Sequence, residues 1–206
     1  MMRIDAKGLH FSELNRAVRD SADSSVRIDN CCGHRYIASG DSGKTITING
    51  IPGNALGAYL DGSTIEVMGN AQDAVGDTMN RGRIVIHGNC GDAPGYGMRG
   101  GKILIKGNVG YRAGIHMKAY QDAQPVIIAG GVAGSFLGEY QAGGKIIVLN
   151  LCPSERPIVG FFCGTGMHGG RMYLRCEKLP GNLPSQVSAA VATAGDIDGI
   201  RGDIED

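Results

Sequence analysis

Side chains able to do chemistry are few in this sequence, and their spacing rarely favours a shared site. Cys163 and His168 lie five residues apart in FFCGTGMHGG, where a thiolate–imidazole pair would make a nucleophile. No third group stands nearby to orient the imidazole, and spacing alone does not bring two side chains together in a glycine-rich segment. His34, His87, His116 and His168 show neither i,i+4 spacing nor a C-x-x-C partner, the patterns that build zinc sites. Each is expected as an exposed or internally satisfied polar residue. A calcium-binding roll needs aspartate recurring in one register, and Asp61, Asp73, Asp92 and Asp122 do not share one. Gly95-Tyr-Gly97 and Gly164-Thr-Gly166 resemble phosphate loops, but no amphipathic helix follows either to hold a pyrophosphate at its N-terminus. No catalytic, cofactor-binding or metal-binding residue is therefore predicted. One polar pair stands out, Glu139-Tyr140 ahead of Gly143-Gly144. It reads either as a solvent-exposed corner or as a contact for a partner protein.

The elements that would position these residues follow from a repeat. Gly88-Asn-Cys-Gly91-Asp-Ala-Pro-Gly95 and Gly107-Asn-Val-Gly110-Tyr-Arg-Ala-Gly114 both read G-x-x-G-x-x-x-G. Gly50, Gly53 and Gly57 fit, as do Gly131, Gly134 and Gly138, while Gly69 and Gly76 flank Gln72. First glycines at 50, 69, 88, 107 and 131 give steps of 19, 19, 19 and 24. Met79, Met98 and Met117 keep the same register, and so do Asn70, Asn89 and Asn108. Before each glycine cluster lies an apolar pair with spacing two: Ile46/Ile48, Ile65/Val67, Ile84/Ile86, Ile103/Ile105, Val126/Ile128, Ile146/Val148 and Met172/Leu174. Spacing of two puts both side chains on one face of a strand.

Antiparallel hairpins would need a second strand in each repeat, and the glycine-rich half is a poor one. Coiling removes the difficulty. Each repeat makes one turn, its strand pairs in parallel with those above and below, and glycine takes corners that need positive φ or close backbone approach. The predicted fold is all-β: a right-handed, single-stranded parallel β-helix of about seven coils, stacked at about 4.8 Å per coil, with a short N-terminal helix. His87, of opposite parity to Ile84 and Ile86, should point outwards. Three segments are expected: a lead-in over 1–45 with a helix at 12–20 capped by Ser12, the repeat over 46–176 with an interrupting loop at 150–158, and an extension over 177–206. Phe11, Leu14 and Val18 share the helical face. The helix could cap one end of the solenoid and the stretch after Arg175 the other. The last stretch, Asp196–Asp206, holds five acids against Arg201 and reads as an exposed arm or interaction segment.

Composition narrows the function classes. Lys and Arg together equal Asp and Glu at 20 each, with no basic run, so the footprint of a nucleic-acid binder is missing. No run of 18 apolar residues occurs and the N-terminus lacks the hydrophobic region of a leader, so a cytoplasmic location off the membrane is expected. The six cysteines (31, 32, 90, 152, 163 and 176) are scattered and are expected as free, mostly buried thiols.

The glycine coils, the GGKI starts at Gly100-Gly101-Lys102-Ile103 and Gly143-Gly144-Lys145-Ile146, and the stretch SFLGEYQAGGKIIVLN resemble the C-terminal β-helix domain of the glutamate synthase large subunit. IDAKGLHFSELNRAVRD is similar to the segment preceding that domain, so the resemblance spans roughly residues 4–176. The chain looks like a stand-alone version of the domain, as found in glutamate synthase and N-methylglutamate synthase-type complexes; one of the subunits of formylmethanofuran dehydrogenase shares the repeat. The resemblance implies a structural subunit without cofactor or activity of its own. Its implied partners are a class II glutamine amidotransferase subunit, which releases ammonia, and an FMN-binding glutamate synthase-type subunit with iron–sulphur centres, which uses it. Open solenoid ends leave room for a homo-oligomer. The alternatives are the corresponding component of a formylmethanofuran dehydrogenase-type oxidoreductase and a β-helical transferase, whose six-residue aliphatic period is not visible here.

Overall fold

A computed structural model describes residues 1–153, 155–181 and 183–205. Ser154, in the expected interrupting loop, and Asn182 and Asp206, in the expected extension, lie outside the described residues. The chain is mostly sheet, with strands β1 (Met2–Asp5), β2 (Ser25–Cys32), β3 (Thr45–Ile51), β4 (Asp61–Val67), β5 (Arg81–Ile86), β6 (Lys102–Ile105), β7 (Val126–Ala129), β8 (Ala142–Val148) and β9 (Gly169–Leu174). Two short helices, α1 (Phe11–Asp20) and α2 (Ala194–Ile204), complete it.

The strands form one sheet in sequence order, every neighbouring pair parallel. A parallel neighbour can be reached only by a connection that travels round and returns to the same end. These connections pair with one another too. Ala71, Cys90, Val109, Ala133 and Val159 make a second parallel ladder, and Gly76, Gly95, Gly114 and Gly138 each donate a backbone bond to the coil before. The arrangement is β-helix-like.

Register creates the core. Ile46, Ile65, Ile84, Ile103, Ile127, Ile146 and Met172 are successive partners, and the six isoleucines are buried in one cluster. Six of the seven expected pairs lie on this inner face, but β7 does not: Ile127 and Ala129 point inwards rather than Val126 and Ile128. β7 is apolar on both faces, so alternation could not fix its parity. The 24-residue glycine step could have, since Ile127 lies that far beyond Ile103. Val126 and Ile128 form a separate outer cluster with Ile147 and Ile200.

Glycine serves two distinct purposes. Gly95, with φ +69, would drive a Cβ to 2.5 Å from Ile127 Cδ1 in the core. Gly107 has no such φ, but its Cβ would enter space held by Asn89 Oδ1 and the Gly88 carbonyl. Glycine does not hold every left-handed corner. Ala55, Ala74, Ala93, Arg112, Phe136 and Phe162 recur at positive φ, and so do Tyr59, Thr78, His116 and Tyr140.

The asparagine ladder bonds to backbone rather than amide to amide. Asn70 Oδ1 accepts from the Asn89 N–H at 2.8 Å, Asn89 Oδ1 from Asn108 at 2.8 Å, and Asn108 Oδ1 from Val132 at 2.9 Å. A second ladder runs beside it through Asn54, Asp73 and Asp92. Two of the four aspartates considered for a calcium roll, Asp73 and Asp92, thus do keep a register, as backbone acceptors. Met79, Met98 and Met117 are fully buried, and Gln141 follows them in the column, its Nε2 bonded to the carbonyls of Gly143 and Gly144.

Both flanks carry more order than their sequence suggested. The lead-in holds β1 and β2 as well as α1, with Val26 opposite Ile46 and Ile28 opposite Ile48. Helix α1 begins at Phe11 and its cap is His10, not Ser12, because Glu13 then falls at the third helical position and accepts from the His10 N–H at 2.9 Å. Leu14 and Val18 enter the core there, and Leu183 packs against the same core cluster. The acidic tail is not a free arm: α2 lies on the outer sheet face, with Ile200 buried.

Candidate functional site

Half of the thiols, and one of the histidines weighed above, are buried within the fold. Cys163 is buried against Met172, sulphur to sulphur at 3.8 Å, and burial pushes its thiol up to about 11. His168 is exposed, its Nδ1 3.1 Å from the Gly166 carbonyl. The structure therefore does not bring Cys163 and His168 together as a nucleophilic pair. His34 is buried: its Nδ1 accepts from the Cys32 N–H at 3.2 Å, and its Nε2 lies 3.0 Å from the Leu9 carbonyl. That pairing suits a neutral ring protonated at Nε2. Cys31 Sγ sits 3.8 Å from His34 Nδ1, and burial raises its thiol to about 11. Cys90 is pushed up to about 12, mainly by burial. Cys32, Cys152 and Cys176 are exposed, so the free thiols are buried only in half the cases.

His87 points outwards, 2.8 Å from Glu66. Among the described residues, no three or more His, Cys, Asp or Glu side chains are grouped to hold a metal ion, and no helix is long and apolar enough to cross a membrane. A depression of about 360 Å³ lies where Lys106, Asn108 and Gly131 meet Leu151, Cys152 and Arg156, and another runs along α1. Neither collects any of the residues weighed above for catalysis.

The Glu139-Tyr140 turn splits between burial and exposure. Glu139 is buried, and its Oε2 accepts from Arg112 Nε at 3.1 Å. Tyr140, at φ 53, is exposed. Its ring stacks on His116 one coil earlier, centroids 5.1 Å apart, and His116 meets Tyr96 edge-on at 5.9 Å. Alongside, the Arg112 guanidinium sits 4.8 Å above Phe136, which stacks on Phe162 at 4.9 Å. Phe161 beside them is 72% exposed.

Coil register explains the cluster. Residues 36, 55, 74, 93, 112, 136 and 162 occupy one left-handed column, read Tyr, Ala, Ala, Ala, Arg, Phe, Phe. This corner is therefore small over three middle coils and aromatic towards both ends, with Arg112, Phe136 and Phe162 together at the C-terminal one. Exposed rings beside an arginine, held on a hydrogen-bonded scaffold, have the make-up of a protein-binding patch. Sequence reasoning found Glu139 and Tyr140 but missed Phe136 and Phe162. Phe136 lies 24 residues beyond Arg112 and Phe162 26 beyond Phe136, outside the 19-residue comb.

A sequence profile described as GXGXG motif matches residues 12–199. The chain is also similar to an uncharacterized protein of Methanocaldococcus jannaschii, 45% identical over 213 aligned positions that cover 98% of this chain and 82% of that one.

Proposed function

Because the chain belongs to the GXGXG motif family, we propose that it is a structural subunit of a glutamate synthase-type complex, without catalytic residues of its own. It positions a class II glutamine amidotransferase subunit against an FMN-binding, iron–sulphur-containing synthase subunit, in the cytoplasm. In this reading residues 46–176 form about seven right-handed, single-stranded coils, the lead-in over 1–45 closes one end, and the extension over 177–206 closes the other. The observation that carries it is the aromatic corner. Tyr140, Phe161 and Phe162 hold exposed rings beside the Arg112 guanidinium, which lies over half-buried Phe136, whereas Cys31, Cys90, Cys163 and His34 are buried inside. A stiff rod with a sticky corner suits holding two enzymes at fixed separation.

Co-expression with candidate amidotransferase and synthase subunits, followed by pull-down and a glutamine-dependent assay, tests the proposal. Wild type should recover both and couple glutamine to product, while Phe136→Ala/Phe162→Ala should lose at least one partner without lowering its own melting temperature much. Equal coupling without this chain, or glutamine turnover by the chain alone, would sink the reading. Assembly with a formylmethanofuran dehydrogenase-type oxidoreductase instead would favour the alternative, which rests on the shared repeat.

A further inference from the structure

The outer face of the sheet near its C-terminal end is built as a seat. Lys102, Val126, Lys145 and Arg171 form one outward column, and Leu104, Ile128, Ile147 and Tyr173 the next. An apolar strip thus runs beside a column of cations. In this structure α2 occupies it. Ile200 packs against Val126, Ile128 and Ile147. Asp203 bridges Lys102 at 3.2 Å and Lys145 at 2.8 Å, Lys145 Nζ also donates to the Gly199 carbonyl at 2.9 Å, and Asp196 meets Arg171 at 3.0 Å. Asp196, Ile200 and Asp203 are spaced four and three apart, one face of a helix.

The grip on α2 is slight. Ile200 is its one buried residue, and Ile197 and Ile204 are 46% and 42% exposed. Gly195, Gly199 and Gly202 interrupt the helix, yet a Cβ at Gly199 or Gly202 would meet nothing within 4 Å, and at Gly195 only Thr193 Oγ1 at 3.9 Å. Glycine weakens a helix interior, and packing does not require it at any of the three. The tether from β9 is largely exposed, with Val191 at 94%.

We propose that α2 is a displaceable strap, and that its seat receives an acidic amphipathic helix of a partner subunit, an aliphatic residue flanked by carboxylates four before and three after. Charge decides the occupant: three cations line one side of the strip, and the helix now seated shows what satisfies them. The partner is one of the subunits named above, so the proposal rests on that reading.

The test uses the full chain in four forms and a fluorescent peptide copying residues 192–205. Loosening the strap (Ile200→Ser/Asp203→Asn) frees the seat, so peptide affinity should rise about 10-fold or more over wild type; stiffening it (Gly195→Ala/Gly199→Ala/Gly202→Ala) should lower affinity by a similar factor. The surface variant Lys145→Glu/Arg171→Glu should not bind, nor should a peptide with its aspartates changed to lysine. Equal affinity in all forms, or binding of the reversed peptide, overturns the seat. In the co-expression pull-down the loosened form should recover more partner and Lys145→Glu/Arg171→Glu less. Equal recovery in every form overturns the partner helix, and so does dimerisation of the loosened form by light scattering, which makes a second copy the occupant. Peptide binding as expected with no subunit recovered by any form would instead count against the complex proposed above.

Discussion

Replacing Gly95 by alanine adds one methyl group at a place where two costs coincide. Its φ of +69 is a left-handed conformation, worth about 1–2 kcal/mol against an L side chain. The new Cβ would also stand 2.5 Å from Ile127 Cδ1 and 3.3 Å from its Cγ1. Ile127 is fully buried, so relief demands repacking of the core, about 1–3 kcal/mol. The sum, about 2–5 kcal/mol, lowers the melting temperature by about 2–4 °C per kcal/mol for a chain of this length. Gly97 separates the two costs. It has φ +58, but its Cβ would meet only Thr78 Oγ1 at 3.5 Å. The register equivalents Thr78 and His116 carry side chains at φ 52 and 55. Gly97→Ala should therefore cost no more than the backbone share. Ile127→Val removes the overlapping Cδ1 and alone costs about 0.5–1.5 kcal/mol. Combined with Gly95→Ala it should destabilise less than the sum of the two, by about 1–2 kcal/mol. Thermal and urea unfolding of the four variants reads this directly. If Gly95→Ala is as mild as Gly97→Ala, or if the Gly95 and Ile127 costs simply add, the corner is not closed by Ile127.

Thiol chemistry offers a second check: with Cys31, Cys90 and Cys163 pushed up to about 11–12 by burial, only Cys32, Cys152 and Cys176 should react quickly with a thiol reagent at pH 8, and all six after unfolding. Acid should release α2. Burial pushes the Asp203 carboxyl upward, but Lys145 and Lys102 outweigh it and hold the group below the ordinary carboxylate value; a depressed folded value means stability present above about pH 4 and lost as pH falls through the folded value, so hydrogen exchange in 194–204 should accelerate there before the β7–β8 amides respond. Asn89→Ala leaves the Asn108 N–H without its 2.8 Å acceptor and should cost about 0.5–1.5 kcal/mol in urea unfolding, against little effect for alanine at exposed Lys118.

The strands were legible because inward isoleucines recur at spacing two and glycines at spacing 19, and both signals come from the same physical cause, the stacking of like on like. Where those signals conflicted or lapsed, reading failed for identifiable reasons. β7 is apolar on both faces because α2 covers Val126 and Ile128, so alternation leaves its parity open and only the 24-residue glycine step marks Ile127 as inward. β1 lacks a glycine cluster because α1 follows it, and after β2 Cys31, His34 and Ala38 stand 19 residues before Gly50, Gly53 and Gly57. Acidic composition made 196–206 look like a loose arm, since its docking depends on Lys102, Lys145 and Arg171 from strands remote in sequence. At the candidate site Tyr140 was visible as an anomaly in its turn, while the ring stack it joins exists only once coils of unequal length are superposed.

The side-chain ladders also have a direction. Asn54, Asn70, Asp73, Asn89, Asp92, Asn108 and Ser135 each accept from a backbone N–H one coil later in the chain; Lys44 N–H to Ser63 Oγ runs the other way. Acceptors are therefore synthesised before the donors they satisfy. As the ribosome extends the chain, each emerging coil finds the acceptors of these side-chain bonds already made, beginning from the end that holds α1. Cutting coils from the C-terminus leaves the remaining ladder donors with their acceptors. Cutting them from the N-terminus strands a row of amides on the first surviving coil.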